Sequence, residues 1–339
     1  MISQLRKLSN QISAFVLSLV LFCFSFPPNV HAATSTRVVQ GDKMNMGKGE
    51  VWTWTEVEKG TGTPRRLGIT LTKSALDGLP ADDEKPEKGT LKLKLIDGSP
   101  WHNFEYEMLF PKEADRTAYN HMGLNWNPEG HGPLEDVFFE PHLDVHFYMA
   151  TTDYRHSITN DSMVDPDTED LLVQNIEPPR DFLPEGYYRA PNTSEPRMGT
   201  HYADMSSDQL KPHNFSNIFL FGGHNGNIVF WEPMLTRKYL LSKPDFSAKI
   251  PQPKAYPVSG YYPLSYSVKY DTKRDLINVS LDELTLRAAS YPGNVYGVDS
   301  CLDSKMVDII FTHKEAKPKD LQIPAKCQPL VPMIKRALS

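Results

Sequence analysis

The chain has 339 residues, and its 36 Lys and Arg against 42 Asp and Glu give a formal net charge of −6. The two signs are interspersed without a basic stripe, which argues against nucleic acid or an anionic membrane surface as a partner. The 28 prolines are scattered along the chain and favour a loop-rich β protein over a helical bundle.

The N-terminus has the features of an export signal. Arg6 and Lys7 precede an apolar run at residues 12–26, which is short for a bilayer span. A Val-x-Ala sequence then supplies the small residues that a signal peptidase recognises. We predict a signal peptide at residues 1–32, cleaved after Ala32, and an extracytoplasmic protein, periplasmic or secreted, without stable membrane insertion after cleavage. The alternative is a retained membrane anchor.

Residues 33–43 form a polar lead-in, and a series of predicted strands follows it. Alternation of apolar and polar residues predicts strands at residues 51–57, 66–72, 90–96, 104–109 and 137–149. Residues 74–79 have the composition of a single helical turn. The segment at about 150–197 is acidic and proline-rich, and it is predicted to be a loop insert. Such a long connection is more typical of a lid, an interface arm or a binding loop than of a linker.

Two hairpins are predicted in the second half of the chain. The first covers residues 218–234 around an Asn-Gly turn, and the second pairs residues 262–270 with 276–287. Residues 235–242 between them carry helix formers. Together these patterns predict a mainly β fold, an antiparallel barrel or sandwich with a few short helices, whose main domain is at residues 44–290.

The C-terminal tail at residues 291–339 contains the two cysteines that would remain after export. Cys23 lies in the predicted signal peptide, which leaves Cys301 and Cys327. In an oxidising compartment two cysteines most simply form one disulfide, here closing a loop of about two dozen residues. Two free thiols are the alternative.

The strongest functional pattern lies at residues 140–148. Successive side chains of a strand point to opposite faces, so His142, Asp144 and His146 share one face and the apolar residues between them share the other. A face of metal-ligand types opposite a face of core residues indicates a polar cavity or a metal site.

Imidazoles and carboxylates are ligands of divalent metals of the Zn or Mn type. The predicted ligands come from three strands and are His142, His146, His201 and Glu232, and the residues expected to support them or to add ligands are His131 and Asp144. The H-x-x-x-H spacing is a difficulty, because residues four apart in a regular strand are separated by about 13 Å. A β-bulge would bring the two imidazoles together.

Two other interpretations of these residues stay open. The histidines are also compatible with a structural polar cluster, hydrogen-bonded inside the protein, or with a metal-free catalytic or ligand cleft. Nucleophile and nucleotide motifs such as G-x-S-x-G, the P-loop and H-E-x-x-H are absent from the sequence. No motif decides whether the protein is an enzyme, and metal-assisted hydrolysis, isomerisation or oxidation stay open.

Several motifs occur in the same order as in a group of uncharacterised exported bacterial proteins, catalogued as a domain of unknown function. They are Met46-Gly47-Lys48-Gly49, the segment 64–79, Trp126-Asn127-Pro128 with Gly130-His131, Pro141-His142-x-Asp144-x-His146-Phe147-Tyr148, Met198-Gly199-x-His201 and Glu232-Pro233-Met234. The sequence resembles this group over roughly residues 44–290, and a thermophile member of the group is a ring-shaped homo-oligomer. The resemblance implies a β-rich, exported homo-oligomer and supplies no activity or substrate.

Two hypotheses result from the sequence. In the first, the chain is an exported β protein of unknown biochemical activity with a divalent-metal site. In the second, it is a non-enzymatic envelope or stress-related oligomeric protein whose histidine cluster is structural.

Overall fold

The computed structural model describes residues 35–95, 100–132, 134, 136–158, 177–224 and 226–290. The predicted signal peptide, the C-terminal tail and its pair Cys301 and Cys327 lie outside the described residues. All elements below belong to the unit that begins at Thr36. Within the described part of the chain, no helix is long and apolar enough to cross a membrane.

The described residues are mostly β-strand. The strands are β1 (Thr36–Met46), β2 (Gly49–Glu58), β3 (Pro64–Thr72), β4 (Leu91–Lys94), β5 (His102–Leu109), β6 (His121–Asn127), β7 (His142–Tyr148), β8 (Tyr187–Glu195), β9 (Gly199–Asp204), β10 (Asn217–His224), β11 (Asn227–Thr236), β12 (Asp245–Lys249), β13 (Gly260–Tyr262), β14 (Ser265–Asp271), β15 (Leu276–Asp282) and β16 (Thr285–Arg287). The helices are short: α1 (Thr152–Ser157), α2 (Arg237–Leu241) and 3-10 turns at Lys73–Leu76, Lys112–Ala114, Arg180–Phe182 and Asp208–Leu210.

The strands form two large sheets and a small one. The six-stranded sheet has the order β1-β2-β3-β15-β14-β12, and the eight-stranded sheet has the order β4-β5-β6-β7-β11-β10-β9-β8. The small sheet pairs β13 with β16, and the paired strands in all three sheets are antiparallel. None of these sheets closes on itself over the residues described, so of the two predicted architectures the sandwich fits. The predicted mainly β, antiparallel class is confirmed.

The main core lies between the two large sheets. The six-stranded sheet contributes alternate residues such as Ile69 on β3 and Val279 on β15, while the eight-stranded sheet contributes Leu124 on β6, Val145 on β7 and Trp231 on β11. Because side chains alternate along a strand, this packing leaves the other face of the eight-stranded sheet to a second layer. That second face carries the candidate site.

The strand boundaries differ from the sequence-based ones at informative places. The predicted polar lead-in forms most of β1, an edge strand whose Val38 is 63% exposed, so polar residues are compatible with it. β7 begins at His142 rather than near residue 137, because Pro141 has no N–H to donate to the ladder. The predicted insert at 150–197 contains α1 and β8.

β6 was missing from the sequence-based prediction. Its seven residues are all buried, and it alternates apolar residues toward the core with His121, Gly123, Asn125 and Asn127 on the other face. This alternation is the same signal that identified the other strands, but Gly and Asn, which are depleted in strands, occupy the polar face and weaken it.

Candidate metal centre

The six candidate residues lie on or beside the second face of the eight-stranded sheet. On β7, Leu143, Val145 and Phe147 belong to the main core, as their alternation predicts. His142 and His146 on the opposite face are nevertheless fully buried, and Asp144 is 4% exposed. The ligand-type groups of β7 therefore lie inside the protein, away from both bulk water and the main core.

A small apolar layer covers this face. Val137 and Phe138, from the segment before β7, pack with Phe215 and with outward-facing residues of β9, β10 and β11 such as Ala203 and Met234. This layer excludes water from the polar groups beneath it, so each of those groups needs a partner inside the protein.

His146, His201 and Glu232 converge and form what we call cluster A. Nε2 of His146 lies 3.6 Å from Oε1 of Glu232, and Nε2 of His201 lies 3.7 Å from Oε2 of the same carboxylate. The three ligand atoms are all within 4.8 Å of one another. These separations agree with a tetrahedral ion, whose ligand atoms at bonds near 2.1 Å are about 3.4 Å apart.

The strand register explains why these three residues meet. β7 and β11 are neighbours, and the pairs Met234–Asp144 and Phe230–Tyr148 place Glu232 opposite His146. His201 on β9 must reach across β10, where its partner in the ladder is Gly222.

Gly222 keeps this crossing open. A Cβ at Gly222 would lie 2.0 Å from the ring of Phe230, so the missing side chain leaves room for that ring. The Phe230 ring contacts both imidazoles, with centroid distances of 4.7 Å to His146 and 5.2 Å to His201. Phe230 thus packs against both histidines of cluster A, and Gly222 leaves the space that the Phe230 ring needs.

Backbone carbonyls fix the orientation of both imidazoles. Nδ1 of His146 is 3.3 Å from the carbonyl of Gly123, and Nδ1 of His201 is 2.7 Å from the carbonyl of Thr193. A carbonyl only accepts hydrogen bonds, so Nδ1 carries the proton and Nε2 presents its lone pair to cluster A. Nε2 of His146 and both carboxylate oxygens of Glu232 are buried without a hydrogen bond.

Burial also sets the charge states in cluster A. Desolvation lowers the pKa of His146 to about 3 and the pKa of His201 to about 4, so both imidazoles are neutral at pH 7. Desolvation, and then the negative charge of Asp144, raise the pKa of Glu232 well above its ordinary value. The neutral imidazoles already offer lone pairs to a metal, whereas the carboxyl group of Glu232 has to release its proton when a metal binds.

His131, His142 and Asp144 form a second group, which we call cluster B. Their ligand atoms lie within 4.8 Å of one another, and Nε2 of His142 is 3.2 Å from Oδ1 of Asp144. Nδ1 of His131 contacts the carbonyl of Gly132 and Nδ1 of His142 contacts that of Glu140, each at 2.6 Å. The two imidazole rings are therefore oriented in the same way as those of cluster A.

Asp144 is held from the neighbouring strand. Nδ2 of Asn127 on β6 donates a hydrogen bond of 2.7 Å to Oδ2 of Asp144. Burial opposes ionisation of Asp144, but electrostatic interaction with the adjacent imidazole of His142, and to a smaller extent with His131 and His146, holds the pKa of this carboxyl well below its usual range. Asp144 is therefore a carboxylate.

The predicted four-ligand set is divided by the structure. β7 pairs with β6 at all seven of its positions without a shift in register, so the expected bulge is not there. His142 and His146 consequently belong to different clusters, as the distance of about 13 Å between residues four apart requires. Cluster A unites the other three predicted ligands, and His142 joins His131 and Asp144 in cluster B.

One cavity connects the two clusters. It has a volume of about 40 Å³, and its lining includes His131 and Asp144 from cluster B and His201 and Glu232 from cluster A. A cavity needs about 10–15 Å³ to hold a water molecule, so two or three waters or one small ion fit inside it.

Sequence reasoning missed the residues that support the ligands. Gly123 and Thr193 act through backbone carbonyls, which no side-chain pattern reveals. Gly222 was the one detectable signal, because a glycine inside an apolar strand marks a bulge or a close approach. Within β10 and β11 the register does shift at Gly222/Gly223.

In comparison with known proteins, one segment of the chain is similar to an uncharacterised family, and no activity follows from the match. The family model described as "TTHB210-like: Hypothetical protein TTHB210" matches residues 60–126, about one fifth of the chain. The matched segment runs from the turn before β3 to β6 and ends before all six candidate site residues. The chain matches no curated protein and no solved structure.

Proposed function

We propose that this chain is an exported protein that binds a divalent metal ion, of the Zn or Mn type, through cluster A. The supporting observation is the convergence of His146, His201 and Glu232 at 3.6–3.7 Å in a buried position, with both carboxylate oxygens lacking a hydrogen bond. Two imidazoles and one carboxylate are a common protein ligand set for such ions.

The energetics of burial favour a bound cation over a bare polar cluster. A buried polar atom without a hydrogen bond costs about 1–3 kcal/mol, and cluster A contains three such atoms on His146 and Glu232. A single cation would satisfy all three at once, because both Nε2 lone pairs and the carboxylate point to one place. Three protein ligands leave a fourth position for water, which the adjoining cavity has room to hold.

A bound ion would polarise the water in its open position and lower the pKa of that water. The protein residues contribute orientation: the carbonyls of Gly123 and Thr193 hold the two rings, and the apolar layer keeps out bulk water. The cavity of about 40 Å³ is far below the roughly 300 Å³ of a typical small-molecule site. We therefore propose metal retention rather than turnover of a large substrate.

The small cavity is also what supports the second candidate function. In that alternative the chain is a non-enzymatic envelope or stress-related oligomeric protein, and its histidine cluster is purely structural. The two candidates differ in one measurable property, the presence of metal.

Elemental analysis of the native protein separates them. Protein purified from the extracytoplasmic fraction without chelators should contain stoichiometric metal, and Glu232→Gln and His146→Ala should lose the metal of cluster A. His121→Ala is the matched control, since His121 is a fully buried histidine on the same face that belongs to neither cluster. The proposal would be contradicted if the native protein contained no metal and the chelator-treated protein also bound none when metal was added. The structural alternative would then remain.

Export and the disulfide are proposed on the sequence pattern. N-terminal sequencing of protein from the natural host should begin at Ala33, whereas a membrane fraction that begins at Met1 would contradict export. Mass spectrometry after alkylation without reduction should find Cys301 and Cys327 unmodified, as a disulfide requires. Two alkylated cysteines in native protein would refute the bridge.

Self-association is the last part of the proposal. The resemblance to a family with a ring-shaped member supports it, and so do the edge strands of the large sheets, since such edges present unpaired backbone groups. Exposed apolar residues occur on and near them, with Val38 63% and Leu109 50% exposed. Light scattering on the mature protein should give a mass that is a multiple of one chain, and a monomer at all concentrations would contradict this part.

A further inference from the structure

We propose that cluster B is a second divalent-metal site, with His131, His142 and Asp144 as its protein ligands. This inference goes beyond the single site proposed above and does not depend on it, because the two clusters share no residue. It assigns a role to three residues that the first site leaves unused.

The geometry around His142 and Asp144 is that of two ligands aimed at a common point. Nε2 of His142 and Oδ1 of Asp144 are 3.2 Å apart, yet both atoms are buried without a hydrogen bond. Their separation therefore lacks the alignment that a His–Asp hydrogen bond has. Ligands of one tetrahedral ion are about 3.4 Å apart and point at the ion instead of at each other.

His131 completes the set from a different part of the chain. It follows β6, in the segment that returns to β7, and its ring lies 4.8 Å from that of His142 at an interplanar angle of 65°. Nδ1 of His142 is directed at the carbonyl of Glu140, so its Nε2 is the atom that can bind an ion, and a ligand atom of His131 lies within 4.8 Å of it. A simple ion pair would need only His142 and Asp144, whereas a third convergent group is what a metal requires.

Asn127 orients the carboxylate of Asp144 as a metal ligand. Its amide nitrogen donates to Oδ2, which fixes the carboxylate and leaves Oδ1 for the ion. The other polar atom of Asn127, Oδ1, is also buried without a hydrogen bond. An amide oxygen in this position is suited to bind the ion directly or to accept a hydrogen bond from a metal-bound water.

The two ions would be separate rather than joined by one hydroxide. Asp144 and His146 are two residues apart on the same face of β7, which corresponds to a separation of about 7 Å. Ions that share a bridging oxygen are about 3.5–4 Å apart. The structure therefore indicates two independent sites beside one cavity, whose lining includes residues of both clusters.

The test is metal stoichiometry in the full mature chain. Protein stripped with a chelator is loaded with Zn²⁺, passed through a desalting column and analysed for zinc per chain. The variants are Asp144→Asn for cluster B and Glu232→Gln for cluster A, together with the double variant. Both substitutions keep the shape of the side chain, and thermal melting of each metal-free variant verifies folding. His121→Gln is the matched buried control.

The expected result is two zinc ions in the parent protein and the control, one in each single variant and none in the double variant. One ion in the parent that Glu232→Gln removes and Asp144→Asn retains would overturn the second site and uphold the first. One ion that Asp144→Asn removes and Glu232→Gln retains would uphold cluster B and overturn cluster A. One ion lost in both single variants would mean a single shared site and would overturn this inference, as would a metal-free parent. Should Asp144→Asn fail to fold, His142→Gln takes its place with the same expected counts.

Discussion

Substitution of Glu232 by Gln should change stability in opposite directions with and without metal. The change replaces a fully buried carboxyl group, which can ionise, by an amide of the same size, which cannot. Glu232 contributes nothing through hydrogen bonds, since both of its oxygens lack partners. Its effect on stability therefore comes from ionisation and from metal alone.

In the metal-free protein the variant should be at least as stable as the parent at pH 7.5. Burial and Asp144 raise the pKa of Glu232 above its ordinary value of 4.5. The folded state then binds its proton more tightly than the unfolded state, so stability falls as the pH rises from 4.5 to the folded pKa. Glutamine does not titrate, so the variant does not lose this stability as the pH rises.

With metal the order should reverse. A ligand at 100 times its Kd stabilises the folded state by about 2.7 kcal/mol. For a chain of this size, 1 kcal/mol corresponds to about 2–4 °C in Tm, so the metal-induced rise in Tm should be about 5–10 °C larger in the parent than in the variant. Any contribution from cluster B is common to both proteins and cancels in this difference.

Scanning calorimetry with buffered free Zn²⁺ and with chelator measures all four states. His121→Gln should behave as the parent does toward metal, because His121 is in neither cluster. A variant that gains as much from zinc as the parent would refute cluster A as a ligand set. A metal-free variant that melts below metal-free parent would show that the Glu232 carboxyl stabilises the fold through contacts the structure does not contain.

Three further outcomes are expected. The two histidines of cluster A have folded pKa values of about 3 and 4 against an ordinary 6.5, so they should make the metal-free protein lose stability as the pH falls below 6.5, by up to about 1.4 kcal/mol per pH unit for each. The measurement uses Glu232→Gln, because Glu232 has the opposite pH dependence, and urea unfolding of that variant that is flat from pH 7 to 4 would contradict the burial of the histidines as neutral groups. Arg155→Met should cost about 1–3 kcal/mol in urea unfolding, because it removes the fully buried partner of the Glu105 carboxylate while Arg197 still pairs with that carboxylate, and a loss below 1 kcal/mol would count against the Arg155–Glu105 pair. Gly222→Ala should destabilise the fold by about 1–3 kcal/mol and weaken metal binding at cluster A, because the new Cβ collides with the ring of Phe230; unchanged zinc retention would argue against this support.

The sequence by itself determined the fold class and the local chemistry of β7. Alternation identified most strands because one face of each packs in the sandwich core, and it placed His142, Asp144 and His146 on one side of their strand. It also selected His201 and Glu232, which the structure brings to His146. Period-2 geometry is a local property of the backbone, so it can be deduced from the residues alone.

Only the tertiary structure decided which of these residues meet. β6 alternates but was missed because the Gly and Asn residues of its polar face are depleted in strands, and only the structure shows that the chain itself covers this face. The division into two clusters follows from the unbroken register between β6 and β7. It also depends on Gly222 of β10, whose missing side chain lets His201 of β9 reach Glu232 on β11. Strand order and register bring together residues that are distant in sequence. Both are fixed by pairing energies summed over whole sheets, so no single segment of the sequence specifies which residues will meet.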